Sequence, residues 1–292
     1  MYMKTLLEYL HPYKREPFWD GHVHLFNSTK TLPEYDFGEV GMKVGFMGLE
    51  YDRKNLQVVK SYERFIKNDY KENTILLATG TTIEDIKTVY EKHPSIIKGF
   101  GELKCYDEYR GVKVPYKKIA FVRQVCRYST NNGSLPVYLH WEICDEKDVQ
   151  KISKLLRDYP TVPVVLCHCG MNDTNQSYAY TQVCQLMKQY QNLWVDISYD
   201  AMWYLGNYIM LLDGLDRDRV ILGSDINIKL FGKNHDPEVE ITQIRLKLDI
   251  IEGYLGRDKN EANIRKLFNI KSSKYELFFL YIYTYDTYNY YK

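Results

Sequence analysis

His22 and His24 stand one residue apart in "FWDGHVHLF", residues 18–26, straight after an apolar run and a glycine. Alternation along a strand sends both imidazoles to one face. Such a pair can grip a metal ion, or can sit hydrogen-bonded at a wet strand end. Residues of the same chemical kind close later apolar runs: Glu102 in "KGFGELK", His140 in "LPVYLHWE", His168 in "PVVLCHCG" and Asp225 in "ILGSDIN". Each has an ordinary reading when taken singly. A strand-end histidine is usually a hydrogen-bonded polar residue, Glu102 could be a solvated loop acid, and Asp225 could cap the next helix. Cys167 and Cys169 flank His168, but alternation turns them away from it, as buried structural thiols. The ordinary readings weaken together, because six such residues would have to reach one rim by accident.

The elements that would carry these residues follow from periodicity. Strand-like runs fall at 18–25, 42–48, 74–79, 96–102, 136–141, 162–168, 193–198 and 219–225. Between them lie stretches such as 55–69, 82–92, 145–158 and 178–190, with apolar residues three and four apart. Strands alternating with helices imply a parallel sheet, and eight units fit a closed (β/α)₈ TIM barrel with its chemistry at the C-terminal strand ends. The runner-up is a doubly wound open sheet, but no glycine-rich phosphate fingerprint follows the first run. Parity within the runs makes Val164, Leu166 and His168 one inward set. Tyr138 and His140 form another, and Ile221, Gly223 and Asp225 a third.

Composition bounds the rest. The chain has 292 residues, with 39 basic against 38 acidic and a net charge of +1, so no global field draws it to nucleic acid or anionic membrane. Its N-terminus lacks the apolar segment and small-residue cleavage site of a signal peptide. Six cysteines without a framework spacing suggest reduced thiols and a cytoplasmic setting. No linker or internal repeat divides the chain. The expected organisation is an N-terminal extension over 1–17, the barrel over 18–270 and a tail over 271–292.

The ordered set of HxH, Glu, His, His and Asp on the first, fourth, fifth, sixth and eighth strands resembles the amidohydrolase superfamily of metal-dependent hydrolases. The strings "DGHVHL", "KGFGELK", "LPVYLHWE", "PVVLCHCG" and "ILGSDIN" look most like its amidohydrolase-related branch. "NEANIRKLFNI", 260–270, is similar to that family's closing helix. The resemblance implies a TIM-barrel hydrolase with metal ligands His22, His24, Glu102, His140, His168 and Asp225. Glu102 stands where many members carry a carboxylated lysine.

Elementary chemistry agrees. Imidazoles and carboxylates suit zinc and related divalent ions. His22, His24 and Asp225 can hold one ion and His140 and His168 a second, with Glu102 bridging. Lys104, if carboxylated, is the rival bridge. Water acidified at such a centre acts as a nucleophile near neutral pH, and Asp225 is the candidate general base. Lys104, Glu142 and Asn227 lie two residues past Glu102, His140 and Asp225, so alternation sets them toward a substrate, although Lys104 reads equally well as a solvated loop lysine.

Three reactions fit. The first is hydrolysis of a small amide, ester or lactone. The second is a phosphoesterase or deoxyribonuclease resembling the TatD-like enzymes, against which stand the balanced charge and the lack of a basic tract interleaved with aromatics. The third is a mononuclear metal-dependent decarboxylase. A small-molecule substrate is therefore expected, with no nucleic-acid or membrane partner. The tail "YELFFLYIYTYDTYNYYK", 275–292, holds seven tyrosines in eighteen residues and lies outside the resemblance. It is too short in its apolar part to span a bilayer, and its β-propensity leaves strapping onto the barrel or pairing with a second subunit open.

Overall fold

The computed structural model describes residues 18–24, 42–47, 74–80, 82–95, 97–105, 116–171, 176–198, 214–223, 226–227 and 255–270. The expected extension over 1–17 and tail over 271–292 lie outside these residues, as does the helix expected over 55–69.

The strands are β1 (Phe18–His24), β2 (Met42–Met47), β3 (Thr74–Ala78), β4 (Ile97–Lys104), β5 (Val137–His140), β6 (Val164–Leu166), β7 (Leu193–Ile197), β8 (Val220–Leu222) and β9 (Ile226–Asn227). From β1 to β8 each strand pairs in parallel with the next. β9 then pairs in parallel with β1, placing Ile226 opposite Val23 and Asn227 opposite His24. β8 lies within the eighth run and β9 directly after it, and together they join β7 to β1. The sheet is therefore a closed (β/α)₈ barrel, not the open doubly wound alternative.

The helices that describe the crossovers have local causes. α1 (Ile83–Lys92) opens on a capping box in which Thr82 and Asp85 satisfy each other's backbone N–H groups. α2 spans Tyr116–Asn131. α3 (Glu146–Asp158) is capped by Asp145, which accepts from the Asp148 N–H at 3.1 Å. α4 spans Gln176–Gln189 and α5 spans Arg257–Leu267.

The core divides into two layers. The outer one lies between strands and helices and includes Val164, Leu166, Cys169, Ile86, Val122, Ile152 and Val183. The inner one fills the barrel with Ile75, Leu77, Tyr138, Val165, Cys167, Trp194 and Ile221, joined by Ile264 and Leu267 of α5 and by Phe268, which caps it. The Phe268 ring stacks on Tyr138 at 6.1 Å between centroids. α5 is thus tied to the barrel as well as packed on it. Asn260 Oδ1 accepts from the Leu222 N–H at 2.9 Å, and Asn263 Nδ2 donates to the Arg217 and Val220 carbonyls. Residues three apart share a helix face, which is how both asparagines of "NEAN" reach β8.

Two expected parities hold. Tyr138 lies in the inner layer, as expected for the face that carries His140, and Trp141 packs in the outer layer. The parity drawn for β6 does not hold. Val164 and Leu166 face the helices, whereas Val165 and Cys167 face the interior. The reason is that β6 ends at Leu166 and Cys167–Gly170 form a 3-10 turn, with His168 at φ 54° and Cys169 at φ 55°. Left-handed backbone at non-glycine residues is uncommon and costly. Here it breaks the alternation and lets His168 reach the interior from a strand whose even-numbered residues face out.

Candidate metal centre

Glu102 is the meeting point of three histidines. It lies near the end of β4, behind Gly101, whose φ of 126° and close approach to β5 exclude a side chain: a Cβ there would lie 2.6 Å from the Tyr138 carbonyl oxygen. Thr79 Oγ1 donates to the Glu102 carbonyl at 3.1 Å and fixes the strand end. The carboxylate is 1% exposed. Its Oε1 lies 2.7 Å from His140 Nδ1 and 3.5 Å from His168 Nε2, while its Oε2 lies 4.0 Å from His22 Nε2. The three imidazoles come from β1, the end of β5 and the turn after β6. The His22 and His168 ring centroids are 5.3 Å apart, and those of His140 and His168 are 4.7 Å apart.

The surroundings settle the charge of Glu102. Burial opposes its ionisation. The charge and hydrogen bond of His140, the hydrogen bond with His168 and the charge of His22 outweigh that penalty and hold the carboxyl well below the usual carboxylate range. It therefore meets the imidazoles as an anion.

A divalent cation fits this donor set. One ligand atom each from His22, Glu102 and His168 lies within 4.8 Å of the others, and all three residues are buried. Nitrogen and oxygen ligands at roughly 2.0–2.1 Å from a tetrahedral ion sit about 3.3 Å apart. The 3.5 Å separation of Glu102 from His168 is near that spacing, and the 4.0 Å separation from His22 is somewhat longer.

The outer nitrogens of two rings are also engaged. His22 Nδ1 bonds Asp196 Oδ2, and Ser198 Oγ lies 2.6 Å from His168 Nδ1. Asp196 and Ser198 lie on and just past β7, a strand to which the sequence reading gave no site residue. The run "LWVDIS" held the signal, since a carboxylate and a hydroxyl two apart at a strand end share one face.

The remaining expected residues are placed as follows. His24 lies on β1 and Asn227 on β9, opposite each other in register. Lys104 lies at the end of β4, opposite His140. The side chains of His24, Lys104 and Asn227 fall outside the description, and Asp225 is outside the described residues altogether. Glu142 is half-buried just beyond β5. Cys167 and Cys169 are buried, as are Cys105, Cys126 and Cys184, Cys144 is partly exposed, and none of the six is in a disulfide.

Comparison with known proteins places this geometry. An amidohydrolase family model matches residues 131–269, from the end of α2 through His140, His168 and Asp225 to α5. This stretch of the chain is similar to the amidohydrolase family. On that similarity the chain is an enzyme, a metal-dependent hydrolase. Solved members and relatives share the fold at low identity. An amidohydrolase 2 from Bifidobacterium longum subsp. infantis superposes with a TM-score of 0.54 at 13% identity, covering 88% of this chain and 100% of that one. A probable 2-pyrone-4,6-dicarboxylic acid hydrolase from Acinetobacter baumannii, with citric acid bound, gives 0.56 at 13% identity, over 87% and 99%. A TatD family hydrolase from Entamoeba histolytica gives 0.57 at 10% identity, over 86% and 98%. No curated protein matches the sequence. Among the described residues no helix is long and apolar enough to cross a membrane.

Proposed function

We propose that this protein hydrolyses a small amide, ester or lactone at a two-zinc centre built around Glu102. The observation that carries the reading is the placing of one buried carboxylate among three imidazoles, with one oxygen toward His140 and His168 and the other toward His22. His22, His24 and Asp225 would hold one ion and His140 and His168 the other, with Glu102 shared. When bound, the ions supply Lewis acidity toward the scissile carbonyl and acidify water at the site.

The chain's own groups do the rest. Glu102 offers its single negative charge to both sides of the centre, so neither half is left with an uncompensated cation. Asp225, at the end of the eighth run, takes the proton of the attacking water and returns it to the leaving group. Lys104, Glu142 and Asn227 orient the substrate, and Lys104 pairs with any carboxylate it carries. The buried setting of His22, His140 and His168 strengthens every charge interaction in the site relative to water.

The near balance of acidic and basic residues favours a small substrate over a nucleic acid, and this is the ground for preferring the reading to a TatD-like nuclease. Metal analysis of purified protein, followed by a screen of ester, lactone, amide, phosphodiester and aromatic-acid substrates, tests it. Turnover of a small ester, lactone or amide that changes little with added salt is the expected result. Faster cleavage of single-stranded DNA would install the nuclease reading, and loss of carbon dioxide from an aromatic acid with one ion per chain would install the decarboxylase.

A further inference from the structure

β7 carries none of the groups that meet at Glu102, yet it reaches two of the three histidines from behind. Asp196 and Ser198 are both fully buried, and two residues apart on a strand they share a face. Ser198 meets His168 of the neighbouring β6. Asp196 reaches farther, to His22 on β1, past β8, which runs between β7 and β1.

Gly223 makes that crossing feasible. It follows β8, and a Cβ built on it would lie 2.3 Å from the His22 Cβ and 2.8 Å from the His22 backbone nitrogen. His22 therefore sits directly over a position that must be bare, and its ring can turn its Nδ1 edge toward β7. The other oxygen of Asp196, Oδ1, has no hydrogen-bond partner among the described residues, and neither has the buried hydroxyl of Tyr138. Burial, then the charges of Asp196 and Cys167, push the Tyr138 hydroxyl well above the usual tyrosine range, so it stays protonated near the Asp196 carboxylate.

A carboxylate can only accept, so the proton of the neutral His22 ring must be on Nδ1. That leaves the Nε2 lone pair facing Glu102. A hydroxyl accepting from His168 Nδ1 has the same consequence for the second ring. We propose that β7 is the positioning strand of the centre: Asp196 and Ser198 hold His22 and His168 by Nδ1 and fix the tautomer that presents each Nε2 to the metal. The inference rests on the metal-centre reading above, and it assigns Asp196 and Ser198 as positioning residues with no contact to substrate.

Two measurements test it. In the metal-free wild type, nitrogen-15 chemical shifts recorded above the imidazole titration range should show His22 and His168 protonated on Nδ1. A ring protonated on Nε2 at His22 overturns the assignment, and this readout needs no variant to fold. The second measurement is zinc titration. Asp196→Ala should bind zinc about 10–100-fold more weakly than wild type, the usual worth of a residue that orients a ligand, with the same number of ions at saturation. Asp196→Asn guards against misfolding of the truncated variant and should also bind more weakly, because it lacks the charge. Ser198→Ala should weaken binding and Ser198→Thr should restore it.

Wild-type affinity in both Asp196 variants overturns the inference while leaving the metal centre standing. A thiolate-to-metal absorption band in the cobalt-substituted protein also overturns it, because Cys167, Asp196 and His22 have ligand atoms within 4.8 Å of one another and would then be the ion's site. A wild type that takes up no divalent ion overturns the metal-centre reading and this inference with it.

Discussion

His140 Nδ1 lies 2.7 Å from Glu102 Oε1, and Glu102 is 1% exposed, so this contact is made almost out of reach of water. It joins the ends of β4 and β5, two neighbouring strands whose side chains converge at one rim. Glu102→Gln keeps the shape of the acid and loses its charge. Zinc content should fall from about two ions per chain to about one, as expected when a shared ligand is weakened. Elemental analysis of the purified variant checks this, and full occupancy would remove Glu102 from the bridging position. Lys104→Ala, by contrast, should leave zinc content unchanged and raise KM.

Asp225→Asn separates proton transfer from metal binding. The amide retains a ligand oxygen and cannot take a proton. Some zinc should remain, and turnover should fall by roughly 10²–10⁴-fold, the usual worth of a positioned acid–base group. Single-turnover kinetics on zinc-loaded protein checks it. Unchanged turnover would return the proton transfer to another residue.

Gly223→Ala puts a methyl group where His22 already is. Its new Cβ would lie 2.3 Å from the His22 Cβ, so the joint between β8 and β1 must shift. The cost should be about 1–3 kcal/mol of stability, as for other overpacked sites, with weakened zinc binding because His22 moves. Urea unfolding with and without zinc measures both.

Arg219 tests how the barrel is held on the side away from the centre. It is 5% exposed and donates to the carbonyls of Met187, Tyr190 and Leu193 and to Asp216. Arg219→Met removes the donors and leaves buried carbonyl oxygens unpaired. It should destabilise the protein by about 2–4 kcal/mol with zinc affinity unchanged. A loss under about 0.5 kcal/mol, the level of an ordinary surface change, would show that water replaces the guanidinium.

Asp216 gives the pH dependence of that anchor. Burial works against its ionisation, but the hydrogen bonds from Arg219 and from the Asp218 N–H, with the charges of Arg219 and Lys266, hold its carboxyl below the usual range. A depressed folded-state pKa contributes stability above the unfolded value, about 3.9, and loses it as pH falls through the folded one. The side chain is 40% exposed, so solvent screens most of the effect, leaving under about 1 kcal/mol. The stability gap between wild type and Asp216→Asn should be constant at neutral pH and close as pH falls below about 4. A gap that widens on acidification would contradict the ion pair.

Much of this was legible from residue order alone. Strand ends carrying Glu102, His140 and His168 could be named because an eight-strand parallel alternation allows few folds and places chemistry at one rim. "NEANIRKLF" could be recognised as a closing helix, although its reason, Asn260 and Asn263 bonding β8, needed the structure. The β6 parity failed because period-2 reasoning assumes an unbroken strand. A turn with His168 at φ 54° begins at Cys167 and turns the next side chains over.

By itself the sequence determined the barrel, the rim and the kinds of group that meet there, since hydrophobic periodicity and donor chemistry are local properties of the chain. Only the tertiary structure decided which atoms face each other. Asp196 and His22 are 174 residues apart, and their meeting depends on ring closure, on a bare Gly223 and on the orientation of a buried imidazole. No local pattern records those three conditions, because each is set by backbone from a different part of the chain.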